Sequence, residues 1–369
     1  MKLDNKKKFG YVPELDGMRG VAILAVMIFH AGAPFLQGGF IGVDIFFVLS
    51  GFLITSLIIN EYDSSSSLNL KNFYMRRLIR LAPALFLLLL VFTLLSALLL
   101  SKDKAQSNHI DTIISLFYMS NWARAFSIHP PDYLGHTWSL SIEEQFYILW
   151  PLTLLGLLRT FTNRWVIAFI AFSFAISAWL LRIYLIDNGS SFERLYNGLD
   201  TRADTLMMGC ALGVILSSGL LSNKIQLVLS KWLSILAPCV ILCLVFISIT
   251  MTWTNPKMYY WVFFAVEIFT VIILLHLFVN RDSFIHKLLS MKWIVWVGSI
   301  SYGLYLWHYP IYRVMKSLDY SGYEVITYGT FITFMVSMLS FYFLEKPILK
   351  LKRKFSGNNT PNKKIQRTV

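Results

Sequence analysis

Two ionisable residues in the first apolar segment, Arg19 and His30, have a spacing that could support chemistry. Eleven positions make almost three α-helical turns, so both side chains lie on one face, roughly 16 Å apart along the axis. Ionisable groups inside a membrane are costly and by default indicate function. A cation at a helix mouth and a deep imidazole suit a long anionic substrate. The structural alternatives are a snorkelling anchor for Arg19 and a packed, hydrogen-bonded histidine for His30.

A second polar group lies where a long loop enters the fourth apolar segment. Ser141 and Glu144 have the spacing of a helix capping box. That interpretation leaves Glu143 and Gln145 unexplained, one turn into an apolar helix. A carboxylate that bonds one imidazole nitrogen raises the basicity of the other nitrogen. We therefore expect Glu143 to orient His30, which would act as a general base.

A basic cluster, Arg76, Arg77 and Arg80, marks the start of the third apolar segment. Arg76 and Arg80 are four residues apart, so they share one helical face. Arginine forks suit phosphate oxygens, and the cluster is predicted on the same side as Arg19. The alternative is an anchor at the cytoplasmic membrane surface, which is the commoner role.

Other polar residues interrupt apolar segments without a single clear role. Two acids flank one base at 200–204, which favours a local structural ion pair. His308 with Pro310 is typical of an irregular helix near a cavity. The remaining candidates for substrate binding or for structure are Asp44, His136, Ser141, Gln145, Asp200, Arg202, Asp204, Tyr305 and His308.

The composition identifies the elements that must position these residues. The chain is 56% hydrophobic and 14% charged, with a mean hydropathy of +0.59. Soluble proteins are nearer one quarter charged. Apolar runs near 20 residues predict an all-α integral membrane protein with about ten transmembrane helices. These are 18–36, 40–60, 81–100, 143–158, 164–185, 202–219, 233–251, 259–279, 296–316 and 324–344, with a shorter interfacial or re-entrant stretch at 112–122.

The basic residues predict the orientation of these helices. With both termini in the cytoplasm, about 24 of the 33 lysines and arginines fall on the cytoplasmic side, as the positive-inside rule expects. The net charge of +13 is therefore a topology signal, and nucleic-acid binding is not expected. We expect a cytoplasmic segment 1–17, a transmembrane domain 18–347 and a disordered basic tail 348–369. No signal peptide is expected. No disulfide or metal site is expected either, since the three cysteines lie in apolar runs.

Several motifs together resemble the acyltransferase-3 family of integral membrane acyltransferases. The similarity runs in order over about 15–347, and the resemblance implies ten transmembrane helices. It also implies transfer of an acyl group, often acetyl, from acyl-CoA to a hydroxyl of an envelope carbohydrate such as lipopolysaccharide, at the bacterial cytoplasmic membrane. The chain resembles the stand-alone form without a C-terminal esterase-like domain. The motifs are LDGMRG followed by His30, GVDIFFVLSGFLIT at 42–55, FYMRRLIRLAP at 73–83, HTWSLSIEEQFYILWP at 136–151, DTRADTL at 200–206, SYGLYLWHYP at 301–310 and EKP at 345–347.

The resemblance implies roles for the predicted site residues. Arg19, with Arg76, Arg77 and Arg80, would hold the phosphates of acyl-CoA, which is a co-substrate and not a bound cofactor. His30 would deprotonate an acceptor hydroxyl that attacks the thioester directly. A covalent acyl-histidine is an open variant. Expected partners are lipids, acyl-CoA and a carbohydrate, while the acceptor and the oligomeric state stay undetermined.

A transporter or flippase is the rival hypothesis from another functional class. It predicts intramembrane charges in two matching halves, with an internal repeat and paired helix breaks. The sequence has no such repeat. A purely structural membrane scaffold is a third hypothesis, but it would not need Arg19 and His30 on one helical face.

Overall fold

The chain folds into helices of very different length. The computed structural model describes residues 11–355, apart from the side chain at 353, and its regular structure in that range is helical. Residues 1–10 and 356–369 lie outside the described range, and so do the ends of the predicted terminal segments 1–17 and 348–369. The helices are α1 Pro13–Ala31, α2 Gly42–Ser65, α3 Leu70–Leu99, α4 Lys102–Leu116, α5 Ser120–Ala125, α6 Thr137–Thr160, α7 Arg164–Asp187, α8 Phe192–Asn197, α9 Leu199–Ser217, α10 Asn223–Thr250, α11 Phe263–Val279, α12 Phe284–Leu289, α13 Lys292–Ser299, α14 Ser301–Ser317, α15 Gly322–Glu324, α16 Thr330–Leu339 and α17 Lys346–Leu349.

Short non-α segments extend three of these helices. A 3₁₀ turn, Gly39–Ile41, leads into α2, and a π-helical turn, Met258–Val262, leads into α11. Two further π-helical turns, Val325–Gly329 and Ser340–Glu345, join α15, α16 and α17 into one long helix, which a 3₁₀ turn continues to Phe355. π-helical turns often occur at functional sites, and the last one contributes two residues to the cavity described below.

Six helical segments in the described range are long and apolar enough to cross a membrane, which makes this a multi-pass membrane protein. The other predicted spans correspond to α1, α6, α9 and the α13–α14 pair, which carry more polar residues. The six are Gly39–Ser65, Leu70–Leu99, Arg164–Asp187, Asn223–Thr250, Met258–Val279 and Gly322–Lys352.

The structure corrects several predicted boundaries. The predicted span 296–316 is two helices with a break at Ile300. The loop after α3 contains the 15-residue helix α4 rather than only a short interfacial piece. The first residues of the basic tail 348–369 are helical as far as Phe355, and the rest of the tail lies outside the described residues. The boundary placed at 17/18 falls inside α1.

Glycines let α2 and α9 approach closely. A Cβ on Gly51 would lie 1.9 Å from the carbonyl oxygen of Leu206, and one on Gly209 would lie 2.1 Å from that of Val48. Small residues at such crossings allow backbone contact between membrane helices. The contact fixes the rotation of α2 about its axis, and therefore the direction in which its polar side chains point.

A fully buried cluster of charges ties α2, α7, α9 and α11 together. The Arg202 guanidinium pairs with Asp44, and Arg182 Nη1 lies 2.5 Å from Asp204 Oδ2. Glu267 joins the cluster by accepting a hydrogen bond from a threonine of α9. Removing one partner of a buried pair leaves an uncompensated charge and costs about 3–5 kcal/mol. We therefore assign these residues to the fold rather than to substrate binding.

The prediction of an ion pair among residues 200–204 is wrong, because each of these charged residues pairs with a residue outside that segment. Arg202 and Asp204 each pair with a different helix, as described above, and Asp200 pairs with Arg194 of α8, with a 2.9 Å hydrogen bond from Nη1. Residues two apart on a helix point about 200° apart. That geometry sends neighbouring charges to different partners, so sequence proximity misled the prediction.

Candidate functional site

A cavity of about 490 Å³ lies between α1, α2, α3, α6, α14 and the last helix. Its lining begins at the N-terminal end of α1 and reaches the first turns of α2 and α6, where Val43 and Ser139 lie. The cavity therefore runs along the helices rather than across them. This shape suits an elongated ligand that enters at one end.

Three arginines line the cavity. Arg19 Nη1 is 3.0 Å from Asp16 Oδ1, and Arg80 has no ion-pair partner within the described part of the chain. The Arg77 guanidinium lies 3.4 Å from the ring centroid of Tyr147. Arginine binds phosphate oxygens well. The cavity can therefore receive a ligand with several negative charges.

Arg76 differs from the other predicted phosphate ligands. Its guanidinium bonds Glu61 Oε2 at 2.6 Å and the carbonyl oxygen of Phe355 at 2.9 Å, and it is not among the lining residues. Arg77 and Arg80, three residues apart, share the cavity face of α3 instead. The predicted pairing of Arg76 with Arg80 on one binding face is therefore corrected.

Three side chains, which we name the serine–glutamate group, lie on the cavity wall: Ser50, Glu143 and Tyr147. The Ser50 hydroxyl donates a hydrogen bond to the Glu143 carboxylate, and the Tyr147 hydroxyl donates to Ser50 Oγ at 2.7 Å. The group joins α2 to α6. The sequence analysis assigned roles to neither Ser50 nor Tyr147. The available signal was a serine inside an otherwise apolar helix.

The capping role predicted for the start of this helix is wrong. Helix α6 begins at Thr137, and the Ser141 hydroxyl bonds the Thr137 carbonyl oxygen at 3.0 Å inside the helix. Glu144 Oε1 lies 3.7 Å from Arg77 Nε instead of closing a capping box. Gln145 uses its amide to bond side chains of α5 and fixes that short helix to α6.

A second polar group, the histidine pair, joins His30 of α1 to His308 of α14. His30 Nδ1 lies 3.0 Å from His308 Nε2, and His308 Nδ1 lies 3.0 Å from the carbonyl oxygen of Leu304. A carbonyl only accepts, so the neutral His308 carries its hydrogen on Nδ1 and accepts at Nε2. His30 then donates from Nδ1, which leaves its Nε2 with a free lone pair.

This arrangement replaces the predicted contact between His30 and Glu143. The partner of His30 is a second imidazole, and the partner of Glu143 is a serine. His308 orients the His30 imidazole, and Ser50 orients the Glu143 carboxylate. The chemistry available to His30 Nε2 is that of a neutral general base.

Aromatic rings surround the histidine pair and connect it to the cavity. The Tyr309 ring lies edge-on to His30 at 5.0 Å between centroids and stacks on His136 at 5.0 Å. The Tyr305 hydroxyl donates to the backbone carbonyl of His136 at 2.9 Å, and its ring lies 5.5 Å from that of His308. Tyr305 lines the cavity, whereas the described lining does not include His30. Tyr305 thus connects the histidine pair to the cavity.

Fold and site define a class: a multi-pass membrane protein with three arginines in the lining of its cavity, a bonded serine–glutamate group on the cavity wall and a pair of histidines. A family model described as "Acyltransferase domain" matches residues 12–345, which is most of the chain. The chain therefore belongs to the acyltransferase-3 family, as the sequence motifs indicated.

Relatives with curated names are O-acetyltransferases. The chain is 35% identical over 357 residues to a "Putative O-acetyltransferase" of Staphylococcus aureus (strain COL), covering 93% of this chain and 58% of the relative. It is also 35% identical over 363 residues to the peptidoglycan O-acetyltransferase OatA of Listeria monocytogenes, covering 95% and 58%. The chain thus spans under two thirds of the length of these relatives. No solved structure matches the chain.

Proposed function

We propose that this protein is a membrane O-acyltransferase. It moves an acyl group, most simply acetyl, from acyl-CoA on the cytoplasmic side to a hydroxyl of a cell-envelope carbohydrate on the other side. The names of the relatives support O-acetylation, and peptidoglycan is the acceptor named for the Listeria protein. The observation that carries the proposal is the cavity, whose lining holds three arginines together with the serine–glutamate group.

The orientation rests on where the basic residues lie. The arginines of the cavity belong to the N-terminal halves of α1 and α3, and Lys352 of the last helix lines the same end. Basic residues concentrate on the cytoplasmic side of membrane proteins. The donor then enters from the cytoplasm, which is also where acyl-CoA is made. Ten membrane crossings, with both termini in the cytoplasm, are part of this proposal.

His30 is assigned to the acceptor. Its free Nε2 takes the proton of the carbohydrate hydroxyl, and His308 keeps the imidazole in the required tautomer. A positioned general base contributes about 10²–10⁴-fold to a rate. The acceptor arrives from the side opposite to the donor, where the loops on either side of α4 and α8 lie.

Two neighbouring arginines provide the test of the donor site. Arg80→Ala should raise the KM for acyl-CoA by about tenfold, the loss expected for one charge-assisted phosphate contact. Arg76→Ala is the matched control, because Arg76 is bonded to Glu61 and lies off the cavity. The measurement is release of CoA thiol by the purified full chain in lipid nanodiscs, at varied acetyl-CoA and with peptidoglycan fragments as acceptor. Equal effects of both variants would contradict the placement of the donor.

Sealed vesicles with the protein in one orientation separate the transferase from its rival. Acetyl-CoA should be consumed on the face that carries the arginines, and the acetylated carbohydrate should appear on the other face. Movement of an unmodified carbohydrate without CoA release would instead support a transporter or flippase. Consumption of the donor from the opposite face would overturn the two-sided arrangement.

A further inference from the structure

Among the described serines, Ser50 is the one whose hydroxyl donates to a carboxylate of another helix. Serine in an apolar helix commonly bonds a backbone carbonyl one turn earlier. Ser141 and Ser177 do so, with Ser177 bonding the Ser173 carbonyl oxygen at 2.9 Å. Ser50 instead reaches across to α6 and donates to the Glu143 carboxylate.

Two hydrogen-bond partners determine the direction of the Ser50 hydroxyl hydrogen. The Tyr147 hydroxyl donates to Ser50 Oγ at 2.7 Å, so Ser50 must use its own hydrogen for Glu143. The close backbone contact at Gly51 fixes the helix on which Ser50 lies. A serine whose hydroxyl donates to a carboxylate base, and whose position is fixed, has the geometry of an activated nucleophile.

Ser50 is also distinguished from the other serines and the cysteines by its surroundings. Among the serines that line the cavity in the described range, it is the one bonded to a carboxylate. Cys210 is buried between helices, and Cys239 and Cys243 lie on the outer surface of α10. A thioester that enters past the arginines therefore reaches Ser50 and Glu143 on the cavity wall, while His30 is outside the cavity lining.

We infer that Ser50 is the site of a covalent acyl-enzyme in the transfer reaction, an inference that rests on the function proposed above. In the first step, Ser50 Oγ bonds to the carbonyl carbon of the thioester and the carbon–sulfur bond breaks. The serine proton goes to Glu143. CoA leaves as a thiolate through the cationic end of the cavity and is protonated in water.

In the second step, the acceptor hydroxyl attacks the ester on Ser50. Its proton goes to His30 Nε2, and the bond between the acyl carbon and Ser50 Oγ breaks. Ser50 regains its proton from Glu143, and His30 then releases its proton to water. The sum is acyl-CoA plus alcohol giving ester, CoA thiolate and one proton. Glu143 exchanges its proton only with Ser50, and His30 takes its proton only from the acceptor, which explains why the two bases are bonded to different partners.

The test uses the purified full chain in lipid nanodiscs with radiolabelled acetyl-CoA and no acceptor, followed by an acid quench. Wild type should carry up to one acetyl group per chain, and peptide mass spectrometry should place it on Ser50. Ser50→Ala should lose both the label and turnover. Ser177→Ala removes a serine hydroxyl far from the cavity and should keep both.

Two further variants separate catalysis from folding. His30→Ala should still become acetylated, release one equivalent of CoA and retain the label after the acceptor is added. Ser50→Cys should form a thioester, whose release by neutral hydroxylamine is faster than that of an ester. If Ser50 had only a structural role, Ser50→Cys would not change how fast hydroxylamine releases the label. His30→Ala would likewise not change how long the label is retained.

The outcomes distinguish this inference from the proposed function. Transfer by wild type with no label in either wild type or His30→Ala, or with a label on another residue, His30 included, would overturn the acyl-serine alone. Near-wild-type turnover by Ser50→Ala would do the same. If wild type releases no CoA with any carbohydrate and forms no label, the proposed function fails together with it.

Discussion

The serine–glutamate group and the histidine pair are two proton-accepting sites. Their polar atoms are stabilised inside the membrane protein in different ways. Glu143 carries a formal charge, which is tolerated because a hydroxyl donates to it and the cavity wall carries arginines. The histidine pair is neutral, and three of its four ring nitrogens are bonded, two to each other and one to a carbonyl, while His30 Nε2 keeps its lone pair. Charges in low-dielectric surroundings are costly unless paired, whereas neutral imidazoles avoid this cost.

The difference indicates a division of labour between the two groups. A charged base beside a cationic cavity suits the half of the reaction that involves the polyanionic donor. A neutral base away from those cations suits activation of a hydroxyl from the other side. The single pairing of His30 with Glu143 expected from the sequence would have placed both functions at one point.

The largest expected effect is at His30. His30→Ala should reduce transfer to the acceptor to less than a few per cent of wild type, because the acceptor loses its base. In wild type, the transfer rate should fall as the pH drops below the pKa of His30, since the neutral imidazole is the active form. Steady-state transfer at varied pH measures both effects. Substantial activity in the variant would show that His30 is not the base for the acceptor. The histidine pair would then have no catalytic role to compare with that of the serine–glutamate group.

The next effect concerns the two adjacent carboxylates. Glu143→Gln keeps the shape and some hydrogen bonding but removes the base, so turnover should fall by about 10²-fold or more. Glu144→Gln is the matched control, because Glu144 faces Arg77 at 3.7 Å and does not contact Ser50. Turnover with saturating acetyl-CoA is the measurement. A dead Glu144→Gln beside an active Glu143→Gln would show that the neighbouring carboxylate is the functional one.

The smallest effect is expected at His308, which positions His30 without contacting substrate. His308→Leu should lower kcat by about 10²-fold, and His308→Gln should recover part of the loss because its amide oxygen can accept from His30 Nδ1. The KM for acetyl-CoA should stay unchanged in both variants, since His308 does not line the cavity. Equal losses in the two variants, or a change in the donor KM, would indicate a packing role instead.

The sequence predicted the class of this protein because composition and apolar run length depend only on local chemistry. The helical membrane architecture is confirmed in its six most apolar segments. The family is confirmed by a match over 12–345. Arg77 and Arg80, two of the three arginines that line the cavity, were among the predicted donor ligands, although helical phase favoured Arg76 with Arg80. The positions of Arg19 and His30 in one apolar helix also required only the 3.6-residue period.

Only the tertiary structure decided which polar groups meet. His30 and His308 are 278 residues apart, Ser50 and Glu143 are 93 apart, and each pair lies on two different helices. Helical periodicity gives the face on which a side chain lies, but it does not specify which helix packs opposite that face. That choice follows from long-range packing, such as the backbone contact that Gly51 permits. The sequence alone therefore supplied the candidate residues, and the packing of distant helices selected their partners.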